Sequence, residues 1–161
     1  MNLLTSFNYE NLYRININLY LCIEFQNKCN MENKINPQVQ HFFSNEENLI
    51  NLLANASYPS FFHYGALKGT YDTYITQEER LQNLCREDKW AKVLLRGGCI
   101  AIYDIEDDEQ HLVDFNMILK GATIVQEQYP KSMARMFVGE DDFFDNDAII
   151  QCAIFGKIVY G

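Results

Sequence analysis

The sequence has 161 residues, 48% of them hydrophobic and 14% aromatic, which is enough to build a folded domain with a core and argues against a disordered chain. The net charge is −9, and no apolar stretch approaches the ~20 residues that a membrane-spanning helix needs. This composition disfavours an integral membrane protein and a protein that binds nucleic acid directly, because a phosphate-binding surface needs positive charge.

The first thirty residues differ in composition from the rest, with seven Asn and no Gly, Pro or Ala. Two interpretations remain open. Residues 1–30 are an extension ahead of a natural start at Met31, or residues 15–25 form an additional strand, since apolar residues there alternate with mostly polar ones. In both cases we expect residues 31–161 to form a single globular domain.

Helical signals begin at Asn36, which precedes Pro37 as a helix cap precedes a proline at the first helical position. Ser44 and Glu47 have the spacing of a capping box, which predicts a second helix. One apolar face of that helix would consist of Leu49, Leu52, Leu53 and Ala56. Pro59 predicts its end, because the residue before proline avoids the helical conformation.

Residues 58–74 are unusually aromatic. The six aromatic side chains are Tyr58, Phe61, Phe62, Tyr64, Tyr71 and Tyr74. One interpretation is a strand or hairpin with one packed face. The other is an aromatic patch that binds a small molecule or a nucleotide.

A second capping box, Thr76 with Glu79, predicts a further long helix, and Gly97 and Gly98 end either that helix or the segment after it. The inner side of this helix would carry the apolar residues Leu81, Leu84, Cys85, Ala91, Leu94 and Leu95.

Residues 99–105 give the strongest strand pattern in the chain. Both faces are apolar, with Ile100 and Ile102 on one and Cys99, Ala101 and Tyr103 on the other. We therefore expect a central strand. An acidic turn at residues 106–109 and a returning strand at residues 111–113 would complete a hairpin.

Asp114 is positioned to cap a further helix, which ends before Pro130. Gly121 interrupts its apolar stripe and predicts a close approach to a neighbouring helix. Residues 145–161 are almost continuously apolar after an acidic start, so we expect a buried central helix capped by Asp142 or Asp145. The predicted fold is α+β, with about four helices packed on a small antiparallel sheet centred on residues 99–105.

The chemical motifs of common enzymes are missing from the sequence. Its five cysteines form no C-x-x-C pair, which favours reduced thiols and a cytoplasmic protein. The three histidines are far apart, and the acidic residues do not follow the order of a calcium loop. A pairing of Cys99 with His63 is conceivable, but a cysteine in an apolar strand is more often a core residue. We predict no catalytic residue, no metal site and no cofactor.

Charge is concentrated in the C-terminal part, where residues 97–161 contain twelve acids and four bases. Two segments carry most of the acids: Glu106, Asp107, Asp108 and Glu109 in the first, and Glu140, Asp141, Asp142 and Asp145 in the second. One interpretation is that these acids are merely solvated. The other is a paired acidic surface that binds a basic surface of a host protein, as a mimic of nucleic acid would.

The end of the chain resembles that of short uncharacterised proteins from phages and integrative elements of gut bacteria. The similarity lies in Asp147-Ala148, Gln151, Ala153 and the closing Phe-Gly-x-x-Val-Tyr-Gly of residues 155–161. An Arg-Gly-Gly before a strand ending in Tyr103-Asp104, and the Leu-Lys-Gly of residues 119–121, extend it. Lys157 departs from the pattern, which has an acid there.

The resemblance implies an origin in a mobile element, and small acidic proteins of that origin often inhibit host defences. The leading hypothesis is therefore a non-enzymatic inhibitor of a nucleic-acid-dependent defence nuclease, comparable to an anti-CRISPR protein. Two alternatives are a small-molecule or nucleotide-binding protein that uses residues 58–74, and a structural or assembly component of a phage particle.

Overall fold

A computed structural model of the chain describes residues 35–57 and 62–161. These residues fold as an α+β protein with eight helices and a three-stranded antiparallel sheet. Residues Asn33–Gly161 form one compact unit. The predictions for residues 1–30, Tyr58 and Phe61 lie outside the described residues.

The elements follow one another in a simple order. Two helices, α1 (Pro37–Phe43) and α2 (Glu46–Ala56), precede strand β1 (Phe62–Gly65). Helices α3 (Thr70–Tyr74), α4 (Gln77–Leu81) and α5 (Arg86–Leu95) come next. Strands β2 (Cys99–Asp104) and β3 (Glu109–Asp114) lead into α6 (Phe115–Gln128), α7 (Pro130–Val138) and α8 (Phe143–Phe155).

The α+β class is confirmed, but the prediction of about four helices understates the count. One reason is that the predicted long helix is two helices, because Cys85 begins α5 anew. The Cys85 sulfur accepts a hydrogen bond from the Asp88 N–H at 3.5 Å, and the Asp88 carboxylate accepts from the Cys85 N–H at 2.8 Å. Leu81 is 85% exposed and Cys85 is also exposed, so their predicted place on an inner face was wrong.

Most of the predicted helix starts are confirmed. Side chains of Asn36, Thr76, Asp114 and Asp142 cap α1, α4, α6 and α8. The capping box at Ser44 was wrong by one residue: Asn45 caps α2, and Ser44 ends α1 by donating its hydroxyl proton to the Gln40 carbonyl at 2.7 Å. Both residues can cap a helix, so the local pattern could not separate them.

Strand β2 is central, as predicted, with β1 and β3 antiparallel on its two sides. Ile100 and Ile102 are fully buried on the face that the helices cover. The opposite face is more open, since Ala101 is only half-buried and Tyr103 is 37% exposed. Burial on both faces was therefore wrong, and β2 has one core face.

Helix α8 is the buried centre of the fold, as its apolar sequence predicted, but it ends at Phe155 rather than continuing to residue 161. Eight consecutive residues, from Asp145 to Cys152, are buried, so this helix is covered all round. Helix α6 supplies its closest neighbour. A Cβ added at Gly121 would lie 2.4 Å from the Ile149 carbonyl oxygen, which confirms the close helix approach predicted at that glycine. In the part of the chain that the structure describes, no helix is both long and apolar enough to cross a membrane.

Candidate functional site

The acidic turn, residues 106–109, lies where the hairpin of β2 and β3 turns back, and its last residue, Glu109, is the first residue of β3. Its four acidic side chains are Glu106, Asp107, Asp108 and Glu109, and all are exposed. The antiparallel register of β2 and β3 places Asp104 opposite Glu109, so the turn projects from the end of a paired hairpin. The sheet thus fixes the position of the turn backbone.

Hydrogen bonds within the hairpin hold the turn in one conformation. The buried Asp104 carboxylate accepts from the backbone N–H of Glu106 at 2.9 Å and of Asp107 at 3.4 Å. Asp108 has a φ of 58°, a left-handed conformation that aspartate tolerates better than most residues. Its carboxylate accepts a hydrogen bond from the Tyr103 hydroxyl, which raises the Tyr103 pKa.

No cation neutralises the acidic turn among the described residues. The ion pairs found in residues 35–57 and 62–161 involve other acids, such as Asp72, Glu79 and Asp145. Two large apolar side chains flank the turn, since Tyr103 is 37% exposed and Ile105 is 46% exposed. The turn therefore presents concentrated negative charge next to exposed apolar surface.

The second acidic segment, residues 140–145, is divided between surface and interior. Glu140 and Asp142 are exposed and Asp141 is half-buried, whereas Asp145 is only 2% exposed. Asp145 takes part in the helix cap of α8, and its carboxylate accepts from the Arg135 Nε–H at 2.8 Å. Asp145 thus forms contacts inside the protein, and Glu140 and Asp142 are the exposed acids of this segment.

The two acidic segments lie at opposite ends of α8. Phe155, at the C-terminal end, contacts Phe62 and His111 of the sheet, with ring centroids 6.2 and 5.5 Å away. Asp142 caps the N-terminal end. Twelve residue steps separate Phe143 from Phe155, which corresponds to about 18 Å along a helix. The predicted pair of segments is therefore two patches rather than one continuous acidic surface.

The described aromatic residues of the 58–74 segment, Phe62, Tyr64, Tyr71 and Tyr74, do not all contact the same neighbours. Phe62 is buried against Phe155, and the Tyr64 ring packs on Trp90 at 5.8 Å. The Tyr64 hydroxyl donates to the Ala56 carbonyl at 3.2 Å. Tyr71 and Tyr74 are half-buried residues of α3, and the Tyr71 hydroxyl lies next to the Trp90 side chain on which Tyr64 packs. For the described aromatics, packing into the core is the interpretation that the geometry favours.

Tyr74 does line a cleft of about 1000 Å³, formed by residues 72–77 with Arg80 and Arg96 and open to solvent. Both arginines are already paired. Arg80 forms an ion pair with Asp72 at 2.8 Å. The Arg96 guanidinium donates to both Glu79 carboxylate oxygens, at 2.6 and 2.8 Å, and these hydrogen bonds lower the Glu79 pKa. These ion pairs leave the cleft poorly suited to capturing an anionic ligand.

The sheet register separates the conceivable cysteine and histidine pair. His63 stands opposite Tyr103, four residues along β2 from Cys99, which corresponds to about 13 Å. That distance is too long for proton transfer between them. Elsewhere in residues 35–57 and 62–161, no three His, Cys, Asp or Glu side chains are grouped so that they would hold a metal ion.

Comparisons with models of protein families, with curated proteins and with solved structures give no match for this chain. The resemblance to proteins of phages and integrative elements stays a prediction.

Proposed function

We propose that the protein is a non-enzymatic binding protein that uses its acidic turn to occupy a basic surface of a host protein. The observation that carries this proposal is the set of four exposed, unneutralised carboxylates on a turn held by the buried Asp104. Uncompensated like charges in close proximity repel one another, so they cost stability unless a cationic partner covers them.

The surroundings of the acidic turn also favour a protein partner. Interfaces combine apolar or aromatic anchors with a charged rim, and aromatic residues dominate their binding energy. Tyr103 and Ile105 would be the anchors, and the acids would steer a basic surface towards them. A mobile-element origin, as the resemblance implies, makes a nucleic-acid-dependent defence nuclease the class of partner that we propose, because its substrate groove is basic.

The second patch, around Glu140 and Asp142, would contribute to the same interface. It too has exposed apolar neighbours, since Val138 is 68% and Phe144 is 62% exposed. A standard interface of about 800 Å² per partner is roughly 30 Å across. That width would reach patches about 18 Å apart along α8.

The test is capture of partners from a host-cell lysate with three tagged baits. The first is the wild type, the second is Glu106→Lys with Asp107→Lys, and the control is Glu78→Lys with Glu127→Lys. All four positions are exposed, and the two variants change net charge equally. Glu106 and Asp107 are chosen because only their backbone groups hold the turn.

We expect the wild type and the control to retain a nucleic-acid-binding protein that the turn variant loses. The purified partner should then bind or cleave its nucleic acid less well in the presence of wild-type protein, and normally in the presence of the turn variant. Equal capture and equal inhibition by all three baits would refute the proposal.

A further inference from the structure

The last residues of the chain are connected to the acidic turn through one buried carboxylate. The Tyr160 hydroxyl donates to Oδ2 of Asp104 at 2.8 Å. Oδ1 of the same carboxylate accepts from the N–H groups of Glu106 and Asp107. Asp104 is fully buried, and no ion pair of the described residues involves it. Both of its oxygens thus accept hydrogen bonds.

Tyr160 is itself held in place by α8. Oε1 of the buried Gln151 accepts from the N–H groups of Val159 and Tyr160, both at 2.7 Å. Nε2 of Gln151 donates to the Tyr160 carbonyl at 2.9 Å. The Tyr160 ring contacts Phe62 and Phe155, each with a centroid distance of 6.0 Å. The phenol therefore reaches Asp104 from a fixed backbone.

We propose that Tyr160 is a positioning residue, which orders the acidic turn by fixing the Asp104 carboxylate. Its relevance to partner binding rests on the proposed function, but the ordering itself does not. A buried carboxylate that loses one donor is left with an unsatisfied oxygen and reorients to find another. The N–H groups of Glu106 and Asp107 would then lose their acceptor, while repulsion among the four acids would spread the turn.

The hydrogen bond between Tyr160 and Asp104 also changes the acidity of the phenol. The hydrogen bond to the Asp104 carboxylate, together with burial, raises the pKa of Tyr160 to about 12. The proton thus stays on the phenol throughout the physiological range, and Tyr160 acts as a permanent donor. A phenylalanine at this position would keep the ring and remove the hydroxyl that donates to Asp104.

The experiment measures amide hydrogen exchange at Glu106 and Asp107 in the full chain by NMR. The variants are Tyr160→Phe and, as the matched control, Tyr64→Phe, which loses a tyrosine hydroxyl bonded to the Ala56 carbonyl instead. Exchange at Ile102, in the core of β2, reports global opening in each variant.

We expect exchange at Glu106 and Asp107, relative to Ile102, to rise about tenfold in Tyr160→Phe, as for loss of a hydrogen bond to a charged group. Tyr64→Phe should leave that ratio unchanged. In an Asp104→Asn background, Tyr160→Phe should add less than about a twofold change, because both substitutions act through one bond. Unchanged turn amides in Tyr160→Phe, or the same change in both tyrosine variants, would overturn the proposal.

This readout needs no partner, so it separates the two proposals. If Tyr160→Phe frees the turn amides but charge reversal at Glu106 and Asp107 leaves capture intact, the binding function fails and the positioning role stands. If capture depends on the charges but the turn amides are insensitive to Tyr160, the positioning role alone fails.

Discussion

Gly121 of α6 and Ala153 of α8 lie in backbone contact where the two helices cross. A Cβ atom added at Gly121 would be 2.6 Å from the Ala153 nitrogen and 2.9 Å from its Cα. Real Cβ atoms do not come so close to backbone atoms, and neither helix backbone can retreat as a side chain can. The buried helix α8 can therefore pack this closely against α6 only because residue 121 has no side chain.

Gly121→Ala is expected to destabilise the protein, although alanine is the better helix former by ~1 kcal/mol. The helices would have to separate, and such overpacking costs about 1–3 kcal/mol or more. Urea unfolding followed by circular dichroism measures the difference. Gly65→Ala is the control, because nothing lies within 4 Å of a Cβ at Gly65. Equal stability of both variants would show that α6 and α8 can move apart freely.

The contact between α6 and α8 was predictable because its signals lie within each helix's own sequence. A glycine inside the apolar stripe of α6 indicates a close neighbour, and an apolar helix without a polar face indicates burial on all sides. The break between α4 and α5 was missed for an equally physical reason. Its cap is the Cys85 sulfur, a weak acceptor that sequence patterns of helix capping do not include.

The partners of buried polar groups were not predictable. Tyr160 and Asp104 are 56 positions apart, and nothing in the sequence around either residue indicates the other. The acidic turn was correctly placed by the sequence, as was its exposure. Asp145 was grouped with the surface acids because it lies in the same acidic stretch of the sequence. Only the position of Arg135 in the folded protein shows that the Asp145 carboxylate is paired inside the structure.

The contact of Arg135 with Asp145 should make stability depend on pH. Burial alone would raise the Asp145 pKa, but hydrogen bonds from Arg135 and Ser132 hold it below its ordinary value of 3.8. The folded-state pKa is thus lower than the unfolded one. The contact stabilises the fold above about pH 4, and this contribution is lost as the pH falls through the folded-state value.

Arg135→Gln is accordingly expected to lower the melting temperature at pH 7 by several degrees, because it leaves the buried Asp145 carboxylate without its cation. The difference from wild type should shrink as the pH falls, first as Asp145 of the variant, whose pKa burial raises, becomes protonated, and then as Asp145 of the wild type does. Calorimetry from pH 7 to pH 3 measures it. Lys131→Gln, an exposed change on the same helix, is the control. A difference that is constant over this range would rule out Asp145 as its origin.

Asp147 should affect the pH dependence of stability in the direction opposite to Asp145. It is 8% exposed, its Oδ2 accepts from the Gln151 side chain at 2.6 Å, and its buried Oδ1 has no hydrogen-bond partner among the described residues. Burial raises its pKa, partly offset by Gln151. Because the folded state then binds a proton more tightly than the unfolded state, ionisation of Asp147 costs stability above its folded-state pKa.

Asp147→Asn should therefore raise the free energy of unfolding at pH 7, by about 1 kcal/mol, while keeping an acceptor for Gln151. The advantage should diminish as the pH falls through the folded-state pKa of Asp147 and close near 3.8, its unfolded value. Urea titrations at several pH values measure it, with Glu127→Gln, an exposed change outside the acidic turn, as the control. A variant less stable than wild type at pH 7 would mean that the ionised carboxylate is stabilised in the fold.

The acidic turn itself should lower the stability of the free protein in proportion to its uncompensated charge. Replacing Glu106 by Gln and Asp107 by Asn removes two of four neighbouring negative charges without touching the backbone bonds to Asp104. We expect the melting temperature to rise by about 1–2 °C at 10 mM salt. At 1 M salt, where the Debye length is about 3 Å, the gain should vanish. The control, Glu78→Gln with Glu127→Gln, removes the same charge from two exposed positions in different helices and should show little change at either salt concentration. A turn variant that is no more stable than this control at low salt would mean that the four acids do not repel one another, and would remove the energetic reason for a cationic partner to cover them.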